Sequence, residues 1–585
     1  MTSILTLTNN LSYLNSTNKK ILVLNKIFDL KKNENLNYKN IQVIKNNFKD
    51  KKELIDAYEY CNNIYVKLLK DLTIELNRTH GLKKSTDNWE VIIGKWLLEF
   101  IYISHKNFLL CKKILLEKKL SHIIMINSED YSLHTKETED LLWARNDSDW
   151  NLSLNSKIIN FLDTEVEKKY LEIKNKKFTS DVPNSAHVPL KNNKTTNIFF
   201  FIKNKILKII NKINNKKNIL IYLTSLSLIQ EKKLELLLGQ IPKFWPKEVP
   251  KYNKNYDYNL RKKISLKKDT EDKFESFIRL ILPDALPLFV LESFKDLEKQ
   301  MTDKNFPNNP SKVFTCYGYA YDELFKIYLS KIKEKKIPIY IGQHGNNYFT
   351  LIYSKYFHEF NICDKFISWG AKDNKKIVQG FNFNTLNKQK DYKINGNLLI
   401  VCGSVGIDHS PLERNIRDEK SADVVIDLIK RLEDKKNFIK IRLHATHFEQ
   451  FNGYYYQNYF KNLDVEKDLG KKNIFKLIKK SRVVFFNYDS TGLLENLSLN
   501  IPSVCFWQDT YLHIDEQYIN KYKKLVEAKI LFENFEDLIA HLNKYWDNID
   551  QWWLSPNTQN IVREFNKDLN INSQKLTDLV KILKI

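Results

Sequence analysis

Residues 482–506, RVVFFNYDSTGLLENLSLNIPSVCF, read as strand, tight polar turn, helix, turn and strand. Residues 483–487 are a short apolar run of β-branched and aromatic side chains, the composition of a strand buried in a parallel sheet. Asp489, Ser490, Thr491 and Gly492 then supply N-cap chemistry and a small residue at a helix start. Leucines recur at helical spacing through 493–499, Asn500-Ile501-Pro502 stops the helix, and 503–506 begins another strand. A helix that opens just after a sheet strand points several free N–H groups outward, and those groups form an anion seat. Glu495 lies one turn further on, within reach of ribose hydroxyls. Two readings of this stretch stand side by side: a cradle for a nucleoside diphosphate, and an ordinary capped helix in an α/β sheet.

The rest of the chain bears on that choice. At 585 residues it is too long for one core, so two or three domains are expected. Hydrophobic residues make up 43% and aromatics 13%, which suits globular folding and excludes a disordered composition. The net charge of +24 fits a nucleic acid, an anionic membrane surface or acidic substrates. It also fits compositional drift, because the charge comes mostly from Lys, Asn is abundant, and Arg and Gly are scarce. No helix-turn-helix or zinc-finger spacing and no basic segment interleaved with aromatics occurs, so no specific nucleic-acid partner is expected. The six cysteines, Cys61, Cys111, Cys316, Cys363, Cys402 and Cys505, are scattered without a CxxC pair and read as buried free thiols of a reducing compartment. The first residues lack the pattern of a signal peptide, and no run of about 18 apolar residues is present. A cytoplasmic protein is expected, with peripheral attachment at the inner face of the membrane as an option.

Residues 1–170 read as an N-terminal α/β-helical region, with strands at 20–28 and 122–127 and long helices at 52–76 and 89–116. Residues 171–217 read as a linker and a basic helix; 197–217 either lies on a membrane surface or is buried with snorkelling lysines. Residues 218–381 alternate regularly, with strands at 219–222, 313–317, 337–342 and 365–369. Helices fall between them at 230–238, 271–282, 288–300, 321–334 and 353–360. A second alternating block covers 397–533, and 534–585 is a helical tail with Trp546, Trp552 and Trp553. Alternation of this kind implies βαβ units. The expected fold is α/β, with two Rossmann-like domains facing a cleft, helical N-terminal additions and a C-terminal helical tail.

Ligands of open α/β sheets bind outside the C-terminal ends of the strands. Three strand ends carry unusual polar groups. The first is Gln343-His344-Gly345, where an imidazole that titrates near pH ~6.5 can accept a proton from a hydroxyl. A structural hydrogen-bonding histidine is the plainer reading. The second is Arg442-Leu443-His444, whose alternation on a strand sets a cation and a donor on one face, suited to a departing diphosphate. The third is the 487–492 turn. Gly403 and Ser404, in a GSVG turn after a predicted strand, are weaker phosphate-cradle candidates. Asp147-Ser148-Asp149 has the D-x-D pattern of metal-dependent sugar transferases, but helix capping explains it better. No metal or cofactor is assigned, since the histidines are not at metal-ligand spacing.

Together with 89–99 (WEVIIGKWLLE), Asp149-Trp150-Asn151, 286–294 (LPLFVLESF), 337–348 (IPIYIGQHGNNY), 366–370 (FISWG), 482–502 and Gln551-Trp552-Trp553, these motifs resemble a bacterial transferase family of surface-carbohydrate synthesis. More distantly, the order of an HG turn, R-x-H and D-S-S/T at a helix start is similar to the capsule-synthesis and CDP-glycerol glycerophosphotransferase families, which are GT-B-like. The resemblance implies a transferase that moves a sugar or polyol phosphate from a nucleotide-activated donor to a glycan or lipid-linked glycan acceptor. By it His344 matches the catalytic base, His444 a histidine on donor phosphate, and Ser490 and Thr491 the phosphate-binding helix start. This chain has His444-Ala445 where those distant families have His-Pro. The alternatives are a non-catalytic nucleotide-binding protein of glycan assembly and a basic membrane-surface or nucleic-acid binder.

Overall fold

The computed structural model describes residues 3–7, 19–24, 40–44, 48, 50–173, 176–179, 218–245, 249–252, 255–373, 375–403, 412, 417–449, 455–507, 511–572 and 575–584. Its strands form three sheets in which every pair is parallel. The first holds β1 (Ser3–Thr6), β2 (Lys20–Val23), β3 (Ile41–Val43), β4 (Leu120–Ile126) and β5 (Glu167–Leu171) in the order β3-β2-β1-β4-β5. Of these, the sequence pattern shows only β2 and β4; the other three are too short or too polar for an apolar run to register. The N-terminal region is therefore a third parallel sheet and not only a set of helices.

The second sheet runs in chain order: β6 (Ile219–Ile221), β7 (Lys312–Thr315), β8 (Ile339–Gly342), β9 (Lys365–Ser368) and β10 (Ile377–Gln379). The third contains β11 (Asn397–Val401), β12 (Ile439–Arg442), β13 (Glu466–Asp468), β14 (Ser481–Phe486), β15 (Ser503–Phe506) and β16 (Leu531–Phe532), ordered β13-β12-β11-β14-β15-β16. The order reverses between β11 and β14, and every residue of β14 is buried. That reversal leaves a crevice at the C-terminal ends of the two strands.

The first two sheets share one core. Helix Lys51–His80 starts on the Asp50 side chain and ends where Gly81 turns left-handed at φ 69, four residues beyond the expected end. Helix Thr86–Glu117 opens on a Ser85–Asn88 capping box. Tyr58, Leu72, Trp89 and Trp96 from this pair pack in one cluster with Phe277, Val313 and Ile339. The third sheet has its own core, closed by Trp552 and Trp553 of the tail. The last helix, Leu576–Lys584, crosses back: Leu576, Leu579 and Leu583 pack with Phe314, Tyr340 and Ile367 of the second sheet. Two Rossmann-like lobes thus face each other across the ends of β8 and β14, a GT-B-like arrangement. All six cysteines are free and buried. Among the described residues no helix is long and apolar enough to cross a membrane. The basic segment at 197–217 lies outside the described residues.

Two expected helices differ. Residues 354–362 split into a 3-10 turn, Ser354–Tyr356, and a short helix, His358–Ile362. Residues 288–293 form turns, and the helix begins at Phe294. The reason is a buried ion pair. Arg261, 2% exposed, donates to both carboxylate oxygens of Glu292 at 2.6 and 2.8 Å. Its Nη1 also donates to the carbonyls of Pro283, Asp284 and Leu286, closing the end of helix Lys273–Ala285. A continuous helix through 288–293 would have to give up these turns. Replacing Arg261 with Met leaves a buried, unpaired carboxylate and should lower unfolding stability by about 3–5 kcal/mol in a denaturant titration; Arg261→Met with Glu292→Leu should recover most of that loss.

Candidate functional site

After β14 the chain turns through Asn487, Tyr488 and Asp489 into helix Thr491–Ser498. Ser490 is the N-cap, and its hydroxyl accepts the Gly492 N–H at 3.0 Å. Gly492 allows a close approach, since a Cβ there would lie 2.9 Å from the Phe486 ring. A cavity of about 310 Å³ opens at this helix start. It is bounded by Val401 at the end of β11, by Phe486, Tyr488 and residues 489–492, and by His444, Glu495 and Asn347. The cavity thus lies at the reversal point of the third sheet, where strand order predicts a ligand.

One wall comes from the other lobe. The loop after β8 reaches the helix start: the Asn346 N–H donates to Thr491 Oγ1 at 3.0 Å, and Asn346 Nδ2 donates to Asp489 Oδ1 at 2.6 Å. A few residues on, the Asp515 N–H donates to the Thr350 carbonyl at 2.8 Å and the Ile352 N–H to the His513 carbonyl at 3.2 Å. Asp489 is 6% exposed, and its second oxygen lies 3.7 Å from His513 Nε2 with no hydrogen-bond partner on either atom. Asn347 and Phe349 in the same loop have φ of 74 and 69. For a phenylalanine that conformation is uncommon, and such strain persists only where surrounding contacts hold it.

The residues named from sequence fall into three groups. Asp489, Ser490, Thr491, Gly492, Glu495 and His444 line the cavity, Gly345 sits against Thr491 Oγ1, and His344 lies in the same loop as the cavity residue Asn347, against Tyr348, without lining the cavity itself. His344 is half-buried, and its Nδ1 lies 3.1 Å from the Tyr348 hydroxyl. Burial lowers its affinity for a proton, against the pull of the Glu359 carboxylate. Burial likewise lowers His444, and the Arg442 charge acts in the same direction. Glu495 is held above the usual carboxylate range by burial, opposed by Lys388 and by the Asn384 amide, which donates to it at 2.8 Å.

A second group has other partners. Arg442 pairs with Asp468 from the end of β13 and does not line the cavity, so the one-face expectation for Arg442 and His444 fails: β12 ends at Arg442, and His444 lies beyond the strand. Gln343 shapes its own turn. Its amide donates to the Gly345 carbonyl at 2.9 Å and accepts the Trp369 N–H at 2.8 Å, while its backbone carbonyl accepts the Trp369 indole N–H at 3.0 Å. Gly403 packs under the Tyr488 ring, 3.3 Å from where its Cβ would be. In the third group, Ser404 lies outside the described residues. Asp147 caps helix Ser148–Leu162, accepting the Trp150 N–H at 2.8 Å. Among the described residues no group of three or more His, Cys, Asp or Glu side chains is placed to hold a metal ion.

Asn346, Tyr348, Tyr488, Glu359 and Asn384 were not foreseen. Asn346 and Tyr348 follow the Gln-His-Gly turn directly, so proximity in sequence was a usable signal. Glu359 and Asn384 had none, because only the fold brings them to the site.

Several comparisons bear on identity. Residues 3–583 match the family described as LIC12162 family transferase. Curated proteins yield no match. Among solved structures, a provisionally assigned UDP-N-acetylglucosamine 2-epimerase from Listeria monocytogenes is 13% identical, with a TM-score of 0.35 over 63% of this chain and 95% of that one. MurG of Acinetobacter baumannii is 11% identical, with a TM-score of 0.31 over 63% and 100% of the two chains. The Streptomyces sp. SF2575 glycosyltransferase SsfS6 is 9% identical, with the same score and coverage. The fold assignment rests on strand order and on the meeting of the two lobes, and the family on the match along the chain. The chain belongs to the LIC12162 family of transferases.

Proposed function

We propose that this transferase moves a sugar or polyol phosphate from a nucleoside-diphosphate-activated donor to a hydroxyl of a surface-glycan acceptor. The observation that carries the reading is the cavity at the helix start of Thr491–Ser498, walled by the His344 loop of the opposite lobe. The donor diphosphate would rest on the N–H groups at Ser490, Thr491 and Gly492, where the helix dipole favours negative charge. His444 would stand beside the phosphate and Glu495 beside the ribose. Arg442 is assigned a supporting place, holding Asp468 at the end of β13. Attachment to the inner membrane surface and a role in surface-polysaccharide synthesis belong to the same proposal.

The chemistry follows from these positions. His344 takes the proton of the acceptor hydroxyl as its oxygen forms the new bond. For a sugar donor, the bond from the anomeric carbon to the diphosphate breaks, and its electron pair leaves with the nucleoside diphosphate. For a polyol donor, attack at phosphorus expels the nucleoside monophosphate. Negative charge grows on the leaving phosphate next to the helix N-terminus, so the seat binds the transition state better than the ground state.

Thermal melting with UDP, CDP, GDP, ADP and dTDP tests the donor seat. At least one should raise the melting temperature, because a ligand that binds only the folded state stabilises it. Ser490→Asp keeps a competent N-cap and adds a negative charge, so the variant should melt normally and lose the ligand-induced rise. A full rise in Ser490→Asp places the nucleotide elsewhere. With the corresponding activated donor, His344→Ala should lower turnover by about 10²–10⁴ while nucleotide binding persists. Binding without turnover in the parental protein points instead to a non-catalytic partner of glycan assembly.

Asn346→Ala should lower stability by about 1–3 kcal/mol, since it leaves a buried Asp489 oxygen without its donor. Denaturant titration reads this directly, and an unchanged midpoint would show that the contact between the lobes is not formed in solution.

A further inference from the structure

A line of polar groups leads from the cleft into the N-terminal part of the fold. Tyr348, 5% exposed, places its hydroxyl 3.1 Å from His344 Nδ1 and donates it to Glu359 Oε1 at 2.5 Å. Because the phenol proton is given to the carboxylate, the phenol oxygen is left to accept, both from the neighbouring Tyr319 and from a proton on His344 Nδ1. The bond from Nδ1 favours the tautomer in which Nε2 carries the lone pair, while the Cys316 backbone, also hydrogen-bonded to the ring, favours the protonated form. A neutral histidine in this form is ready to take a proton, and the positive charge it then acquires is met through the phenol by Glu359.

Glu359 itself is held from the far side. It sits on helix His358–Ile362, whose first residue is pinned: His358, 2% exposed, lies with Nε2 2.9 Å from the Glu90 carbonyl of helix Thr86–Glu117. Gly94 of that helix leaves no room for a side chain, since a Cβ there would come within 2.6 Å of both His358 Nε2 and the Tyr65 hydroxyl. The Glu90 carboxylate ties the same corner by accepting from Tyr65 at 2.9 Å and from Asn361 at 2.9 Å. Lys95, the next residue on the helix, keeps Glu359 ionised against burial, and its own ammonium is kept charged by Tyr321, Glu99 and Glu359. The motif WEVIIGKW thus fixes Glu359 in place and balances its charge.

We infer that Tyr348 and Glu359 are positioning residues that orient His344 as a base and stabilise it once protonated, with Glu90, Gly94 and Lys95 of the N-terminal helix holding the carboxylate in place. The inference rests on the transfer reading for its reaction, but the geometry of the triad stands independently of any substrate. The groups facing His344 are the charged Glu359 and Lys95, the neutral rings of Tyr317 and Tyr348, and the backbone of Cys316, which hydrogen-bonds the imidazole and favours its protonated form. Glu359 is the charged group among them that favours the imidazolium. Its neutralisation must therefore lower the imidazole pKa further, and the acid limb of a rate profile must move to lower pH.

Two measurements test the arrangement. In protein carrying ¹⁵N-histidine, the His344 ring, assigned by its loss in His344→Ala, should show a protonated Nδ1 and an unprotonated Nε2 at pH 8. In Tyr348→Phe that preference should weaken, and in Glu359→Gln the ring should titrate at lower pH than in the parent. A parental ring protonated on Nε2 overturns the relay whatever the activity. With the nucleotide-activated donor identified by melting, Tyr348→Phe should lower kcat by on the order of tenfold to a hundredfold with KM little changed. Glu359→Gln should do the same and shift the acid limb downward. Parental rates and pH profiles in both variants, with His344→Ala inactive, overturn the relay and leave the base assignment standing. A His344→Ala protein that keeps its rate overturns the base assignment and the relay with it. Tyr348→Phe changes one oxygen in a core position, so it serves as the folded control should Glu359→Gln fail to fold.

Discussion

The contact on which the rest of the cleft depends is the pair of hydrogen bonds from Asn346 to the start of helix Thr491–Ser498. One is a bond from the backbone and fixes where the loop passes. The other goes to a buried carboxylate and is of the charge-assisted kind, worth more than a neutral bond. Both join the end of β8 in one lobe to the end of β14 in the other. Asn346 is two residues from His344, and Thr491 is the first residue of the helix whose start forms the proposed anion seat. These two bonds therefore tie the loop that carries the proposed base to the proposed donor seat. The last helix strengthens the arrangement by returning from the third sheet to the far face of the second.

Much of this was legible in the sequence. Parallel strands buried on both faces leave apolar runs, so β7, β8, β9, β11, β12, β14 and β15 stand out, and their polar ends mark the C-terminal edges where ligands bind. The anion seat was legible because capping chemistry is local: Ser490 caps its helix as the Ser-Thr-Gly order implies. The N-terminal sheet was legible only in β2 and β4. Of the others, β1 and β3 are short and β5 is largely solvent-facing, and only pairing in three dimensions adds them to the sheet. Residues 288–293 misled because their leucines and phenylalanine fit a helical face, while the deciding partner, Arg261, lies on another element.

The same limit applies at the cleft. Arg442 reads as a phosphate ligand because an arginine at a strand end beside a histidine suits a diphosphate. What the sequence withholds is Asp468, which reaches Arg442 only because β13 pairs with β12 in register. Glu359 is the opposite case, an inconspicuous carboxylate in a short helix that folding brings within one phenol of His344. Pair interactions across elements are invisible to periodicity, and these are the interactions that decide which polar groups remain available for chemistry. The net charge of +24 is no guide to the site either, since the residues around the cavity are mostly neutral or acidic.

The central claim is that one ligand site is shared between the two lobes. Hydrogen exchange of the full chain, with and without the nucleoside diphosphate that raises its melting temperature most, measures this directly. Slowed exchange should appear both in the peptides covering 487–494 and in those covering 343–350, because the ligand rests on one segment and closes the other against it. Protection confined to a region away from both, or to 487–494 with the 343–350 loop unchanged, would contradict a shared site.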